Sequence, residues 1–205
     1  MNDLTVFIVD DDPLVLKALK RVLVTNGFTV ETYDSASGFL ERPTNAGLGC
    51  LLLDLLMPDL NGLDVQNAMT KRGIVMPIVF LSARGDVPST ARAMREGAVD
   101  FLVKPVDEQQ LLDAIARARD KAIELHEKRR LEQEAEERLA RLTKREREVC
   151  GLVVQGLLNK QIASELGASE KTVKVHRGRV MRKLEVDSVA ALVQLVSRQI
   201  SFQKL

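Results

Sequence analysis

The sequence predicts two domains of different class. An α/β domain on a doubly wound, five-stranded parallel sheet comes first, an all-α domain second, and a long helix joins them. Three observations predict this. Short apolar runs alternate with helix-like stretches through the first half. A charged stretch from Asp107 to Leu142 holds no Pro or Gly. Everything from Thr143 onward has helical spacing.

Each element follows from local chemistry. Thr5 to Val9 reads as a strand, and Pro13 to Asn26 as a helix stopped by Gly27. Thr29 to Tyr33 is the second strand. Cys50 to Leu53 is an unbroken apolar run, as a strand buried on both faces requires. Ile78 to Leu81 and Phe101 to Val103 complete the sheet. Helices fit at Ala36 to Glu41, Gly62 to Lys71 and Pro88 to Glu96. In the charged stretch, Glu124, Glu134 and Glu137 each precede a basic residue by four, which supports an exposed helix. Its apolar stripe of Leu111, Ile115, Ala118, Ala122 and Leu125 fades and resumes at Leu139 and Leu142. The expectation is one helix whose first turns pack on the sheet and whose remainder is a solvated linker. Arg129 and Glu132 on the extended seam disfavour a sustained coiled coil. Four helices follow, about Lys144 to Gln155, Lys160 to Leu166, Glu170 to Leu184 and Val189 to Ser197. The expected domains are residues 1–122, a linker at 123–141, and residues 142–205.

Of the 205 residues, 45% are hydrophobic, enough for sizeable cores. Trp is absent and there is one Tyr, so aromatic stacking does not dominate binding. Cys50 and Cys150 have no metal-type partner nearby and read as buried, reduced thiols. No apolar run spans a bilayer, and Met1-Asn2-Asp3 lacks the basic flank of a signal peptide. A soluble, cytoplasmic chain without membrane partners is expected. The net charge of +1 hides an asymmetry. Residues 1–106 hold 13 acidic against 10 basic side chains, residues 107–142 hold 10 against 8, and residues 143–205 hold 6 against 12. An acidic front and a basic tail imply different partners.

With strand order 2-1-3-4-5, ligands bind where the order reverses, between the first and third strands. Asp10 and Asp11 end strand one and Asp54 ends strand three. Adjacent carboxylates need a cation, and Mg2+ suits a site with few carboxylates that also takes a phosphate. Ser82 ends strand four and Lys104 strand five. Hydroxyl, ammonium and acids at one sheet edge make a phosphoryl-acceptor site with Asp54 as nucleophile. Asp12, just before Pro13, reads as the helix cap rather than a ligand.

The strings "VDDD", "LLDLLMPDLNG", "LSARGD" and "EGAVDFLVKP", with their spacing, resemble the receiver domain of two-component response regulators over about residues 4 to 125. The resemblance implies that Asp11 and Asp54 ligate Mg2+ directly, with Asp10 assisting and the backbone carbonyl of Leu56 as a third protein ligand. It implies that Ser82 and Phe101 form a switch pair, and that Lys104-Pro105 is a cis peptide. Leu56 departs from relatives with a polar group there; its side chain cannot orient water, which predicts slow self-dephosphorylation. A rival reading takes "VDDDPL" as the opening of a haloacid-dehalogenase-type phosphatase, with Asp10 as nucleophile and Asp12 as general acid. It leaves "DLLMPDLNG" and the basic tail unexplained.

In the tail, "NKQIASEL", a turn at Gly167 and "EKTVKVHRGRVMRKL" read as a helix-turn-helix, with Ser169 capping the second helix. Val173, Val180 and Leu184 share one stripe, the core face. Lys171, Thr172, Lys174, Val175, Gly178 and Arg182 lie on the DNA-facing side, with Arg179 at its edge; a basic face suits the major groove. The string from Leu142 to Leu184 resembles the LuxR-type DNA-binding domain. With the receiver, the whole chain resembles a NarL/FixJ-family response regulator, nearest the FixJ-like branch through its "GDVP" loop. The resemblance implies base contacts at Lys174, Val175 and Gly178, phosphate contacts at Lys160 and Lys171, and a dimer face on the last helix at Val189, Leu192, Val193 and Val196, part of which core packing claims.

The function these readings imply is a transcription factor activated by phosphorylation of Asp54. A cognate histidine kinase donates the phosphate, the protein dimerises, and it binds double-stranded promoter DNA, with RNA polymerase as a further candidate partner. It is not an enzyme beyond its own phosphorylation and dephosphorylation. The alternative is a DNA-binding regulator whose receiver docks partners independently of phosphate.

Overall fold

A computed structural model describes residues 4–42, 47–83 and 87–200. Gly85 and Asp86 of the "GDVP" loop lie outside the described residues. The chain divides into two compact units, Met1–Glu127 and Lys128–Leu205.

The first unit holds β1 (Thr5–Val9), α1 (Pro13–Thr25), β2 (Thr29–Tyr33), α2 (Ala36–Glu41), β3 (Gly49–Asp54), α3 (Gly62–Lys71), β4 (Ile78–Ser82), α4 (Val87–Arg95), β5 (Asp100–Val103) and the start of α5 (Glu108–Ala140). All pairings are parallel, in the order β2-β1-β3-β4-β5. β3 and β4 each reach one residue further than their apolar runs, so Asp54 and Ser82 lie within strands.

Alternation along the strands divides the core. Phe7, Val9, Leu51, Leu53, Ile78 and Phe80 face α2, α3 and α4. Val6, Ile8, Cys50, Leu52, Val79 and Leu81 face α1 and the first turns of α5. Each fully buried Val, Leu or Phe contributes about 1.5–3 kcal/mol, so the register is strongly held and the carboxyl edge is a rigid platform.

Asp12 caps α1: its Oδ1 accepts from Leu14 N at 2.8 Å, ahead of Pro13. Cys50 and Cys150 are both free and buried, and burial pushes the Cys50 thiol up to about 12. Among the described residues no helix is long and apolar enough to cross a membrane.

The second unit holds the end of α5, then α6 (Lys144–Val154), α7 (Asn159–Glu165), α8 (Glu170–Lys183) and α9 (Val189–Ile200). One expectation needs correction. The second half of α5 is not a solvated linker throughout, because Ala135 is buried with Leu139 alongside it in the helical core. Leu192 of α9 is fully buried in the same core with Leu195, so it is the part of the α9 stripe that core packing claims, while Val193 is exposed. A small residue among charges hides the first contact from any hydrophobic pattern, and α9 is apolar enough that its stripe does not show which side packs.

Candidate functional site

Strand register brings the acidic residues together. Val9 lies beside Leu53, Asp54 beside Leu81 and Ser82 beside Val103, so the ends of β1, β3, β4 and β5 share one edge. Asp10 is wholly buried; Asp54 and Ser82 are buried, and Asp11 is exposed. Lys104 N donates to Ser82 O at 2.8 Å, which sets the lysine beside the strand-four terminus. The Lys104 ammonium then reaches back to Asp10 Oδ2 at 2.6 Å and Asp54 Oδ1 at 3.2 Å. Asp10 Oδ1 accepts from Asp12 N at 3.0 Å, which fixes its carboxylate.

One carboxylate oxygen from each of Asp10, Asp11 and Asp54 falls within 4.8 Å of the others. An all-oxygen set of this kind fits a hard divalent cation. Burial raises the Asp54 carboxyl above its ordinary value and the Asp10 charge adds to this, while Lys104 opposes it. Burial pulls the Lys104 ammonium down, but hydrogen bonds and charge from Asp10 and Asp54 more than offset it, and it ends raised. Three acids and one lysine leave the cluster short of positive charge.

The rim is less polar. Leu56 is 63% exposed, two residues after Asp54. Phe101 is half-buried at the margin of the α2–α3–α4 core. The Lys104-Pro105 peptide is cis. The phosphatase assignment loses support here, because Asp12 Oδ1 caps α1 and the acidic cluster is made by Asp10, Asp11 and Asp54 instead.

Sequence reasoning missed one tie behind this edge. Asp59 Oδ2 accepts from both N and Oγ of Ser37 at 3.2 Å, joining the loop after β3 to the start of α2. An acid 22 residues from its partner gives no local signal.

In the second unit, α7 and α8 meet through Gly167 at φ +60°, where a side chain is disfavoured. Ser169 caps α8 by accepting from Thr172 N at 3.1 Å. Val173, Val180 and Leu184 are buried, as their stripe predicts. Lys171, Thr172, Lys174, Val175, Gly178, Arg179 and Arg182 are exposed, as is Lys160 on α7. Nothing lies within 4 Å of a side chain added at Gly178. The exposed face of α8 is thus a cationic strip with one apolar residue, Val175, 48% exposed.

Sequence reasoning also missed what holds α8. Glu146, buried at the start of α6, closes a capping box with Thr143 and accepts from Lys183 Nζ at 2.6 Å. The Thr-x-x-Glu spacing is the signal that carries the box. Arg141 and Arg138 reach Glu185, just past the end of α8.

Two families match the chain. Residues 6–116 match "Response regulator receiver domain" and residues 140–196 match "Bacterial regulatory proteins, luxR family". A receiver followed by a LuxR-type DNA-binding domain defines a transcriptional response regulator, and homologues with this pairing are phosphorylation-dependent. Response regulator protein TodT of Pseudomonas putida is 43% identical over 94% of this chain and 85% of its own length. Transcriptional regulatory protein FixJ of Rhizobium meliloti is 38% identical over 95% of this chain and 96% of its own length. The solved structure of response regulator StyR is similar with a TM-score of 0.78 and 47% identity, covering 96% of this chain and 99% of that one. The chain belongs to the two-component response regulators, in their FixJ-like branch. It is a transcription regulator rather than a classical enzyme, and the family pairing implies a histidine kinase and DNA as partners. Receiver domains bind Mg2+ at an acidic cluster such as the one formed here.

Proposed function

We propose that Asp54 accepts a phosphoryl group from a phosphohistidine of the cognate kinase. The observation that carries this reading is the Lys104 ammonium lying between two buried carboxylates at the strand edge, 3.2 Å from Asp54. A carboxylate oxygen of Asp54 forms the new P–O bond, the P–N bond breaks, and the imidazole leaves with its electron pair. Asp11, Asp54 and the Leu56 carbonyl would hold Mg2+, with Asp10 assisting. Bound there, the ion supplies positive charge against the carboxylates and the incoming phosphoryl oxygens. Lys104 offsets charge on the transferring group, and the Ser82 hydroxyl donates to a phosphoryl oxygen as Phe101 turns inward. The protein then dimerises through its receiver and places two copies of α8 in successive major grooves. Lys174, Val175 and Gly178 read bases. Lys160 and Lys171 contact phosphates, with Thr172, Arg179 and Arg182 flanking. Receiver (1–122), linker (123–141) and DNA-binding domain (142–205) are the working divisions, RNA polymerase is the partner at the promoter, and the cytoplasm is the compartment.

The test is acetyl phosphate with Mg2+ on the full chain and on Asp54→Asn, followed by selection of bound DNA from a random library. Acid-labile phosphate on the wild type alone, with tighter and dimeric DNA binding, supports the reading. Phosphate retained by Asp54→Asn, or DNA affinity and oligomeric state indifferent to phosphate, overturns it.

A further inference from the structure

Gly62 opens α3, with Asn61 as its cap. Its backbone is not in the left-handed region, so conformation does not explain a glycine there. Space does. A Cβ at residue 62 would lie 2.6 Å from Asp54 O, 3.1 Å from Leu55 Cα and 2.9 Å from Phe80 Cε1. The first two are backbone atoms of the acceptor strand, which cannot swing aside as a side chain can. Gly62 N also donates to Leu55 O at 2.9 Å, and Leu55 N donates to Leu81 O at 2.8 Å. The Asp54–Leu55 peptide is therefore clamped between β4 and the first turn of α3, at a separation that only hydrogen at residue 62 permits.

We propose that Gly62 is a positioning residue for phosphoryl transfer: its bare Cα lets α3 seat against the Asp54–Leu55 peptide and so fixes the Asp54 carboxylate against Lys104 and Asp10. The proposal rests on the reading of Asp54 as acceptor. An added methyl group must either lift α3, stretching the Gly62–Leu55 hydrogen bond, or push the peptide at Asp54. Either shift moves a carboxylate whose distance to Lys104 Nζ is 3.2 Å. It also moves Leu56, the residue after the displaced peptide.

Gly49 provides the control. It is the first residue of β3, at the opposite end of the strand from Asp54. A Cβ there would meet Phe7 Cε2 at 2.9 Å and Met76 Cε at 3.1 Å, both side-chain atoms. Gly49→Ala crowds the same sheet without touching the acceptor.

The experiment uses the full chain. Initial phosphorylation by acetyl phosphate with Mg2+ is read on phosphate-affinity gels, thermal unfolding by circular dichroism, and binding of Mg2+ alone by NMR shifts of the Leu55 amide. Gly62→Ala should phosphorylate roughly tenfold more slowly or worse, as sub-ångström misplacement of a reacting group costs, and should bind Mg2+ more weakly. Gly49→Ala should lose stability but keep the wild-type rate. Adding Phe80→Leu to Gly62→Ala removes the ring contact and leaves the Asp54 contact, so the double variant should still phosphorylate more slowly than Phe80→Leu alone by the same factor. If Gly62→Ala alone does not fold, this double variant is compared directly with Phe80→Leu. A wild-type rate in Gly62→Ala, or a double variant as fast as Phe80→Leu alone, overturns the proposal. A wild type that takes no phosphate on Asp54 overturns the acceptor reading instead.

Discussion

Lys104 Nζ lies 2.6 Å from Asp10 Oδ2, and Asp10 is wholly buried. The lysine is thus shared: it faces Asp54, the proposed phosphoryl acceptor, at 3.2 Å and also holds a buried charge that has little solvent to fall back on. Lys104→Met should do two separable things. Removing one partner of a buried pair costs about 3–5 kcal/mol, which urea unfolding without Mg2+ should show. Loss of the ammonium should slow acetyl-phosphate labelling by about 100-fold or more. Normal labelling in the variant would remove Lys104 from the chemistry.

The three consecutive acids divide by task. Asp12 spends its carboxylate on Leu14 N, whereas Asp10 and Asp11 join the cluster with Asp54. Asp12→Asn should label almost as the wild type does, since Asn caps as well as Asp, and Asp12→Ala should cost about 1 kcal/mol of stability. Asp11→Asn should lose most labelling. Equal loss in Asp11→Asn and Asp12→Asn would show that the triplet acts as one cluster.

Glu146 ties the start of α6 to the end of α8. Its carboxyl is held down to about 2 from an ordinary 4.5, chiefly by the Lys183 hydrogen bond and then by Thr143 N–H, against the effect of burial. A depressed carboxyl contributes stability above its unfolded value, and the contribution fades as pH falls from about 4.5 towards about 2. Glu146→Gln should cost roughly 1.5–3 kcal/mol at neutral pH. In urea unfolding, the gap between wild type and variant should narrow through that acid window. A gap independent of pH would show that packing, not charge, explains the loss.

How much of this is legible in the sequence depends on the range of the interaction. Asp54 is legible because the unbroken run Cys50 to Leu53 must be a doubly buried strand, and a strand end in a parallel sheet lies at the ligand edge. The Asp12 cap is written in the order Asp-Pro. The α8 core stripe follows from 100° per residue. Ala135 is not legible, because a methyl group among charges becomes core only when a neighbour covers it. Leu192 and Val193 are adjacent and both apolar, yet one is fully buried and the other exposed; only the packed neighbours decide which. The Glu146–Lys183 pair spans 37 residues, and the space around Gly62 is set by two other strands. Local chemistry writes elements and caps, and tertiary contact writes the supports of the site.

α7 lacks a cap that its position calls for. Leu158 is the N-cap residue, 69% exposed, and has no side-chain oxygen for the free amides of the first turn. Gln161 Oε1 still accepts from Leu158 N at 2.8 Å, which is one half of a capping box. Leu158→Ser should complete it, adding about 1 kcal/mol of helix stability. Hydrogen exchange at the Lys160 and Gln161 amides, the two that an N-cap oxygen can reach, should slow by about fivefold, the equivalent of that free energy. Unchanged exchange would mean that water already satisfies these groups at no net cost.

The exposed residues of α7 and α8 separate two kinds of contact that binding data can tell apart. Lys160 and Lys171 are exposed cations assigned to phosphates, whereas Val175 is an exposed apolar side chain on the strip assigned to base edges. Phosphate contacts act through counterion release, which is blind to sequence. Lys160→Ala and Lys171→Ala should therefore each weaken binding to every DNA alike and lower the slope of log affinity against log salt by about 1. Val175→Ala should leave that slope unchanged and relax preference at one base pair, where a thymine methyl meets the side chain. Anisotropy titrations of the phosphorylated full chain against DNA selected from a random library, at several salt concentrations, measure both quantities. A salt slope altered by Val175→Ala, or a base preference altered by Lys160→Ala, would overturn this division of contacts and place α7 and α8 on the DNA in a different orientation.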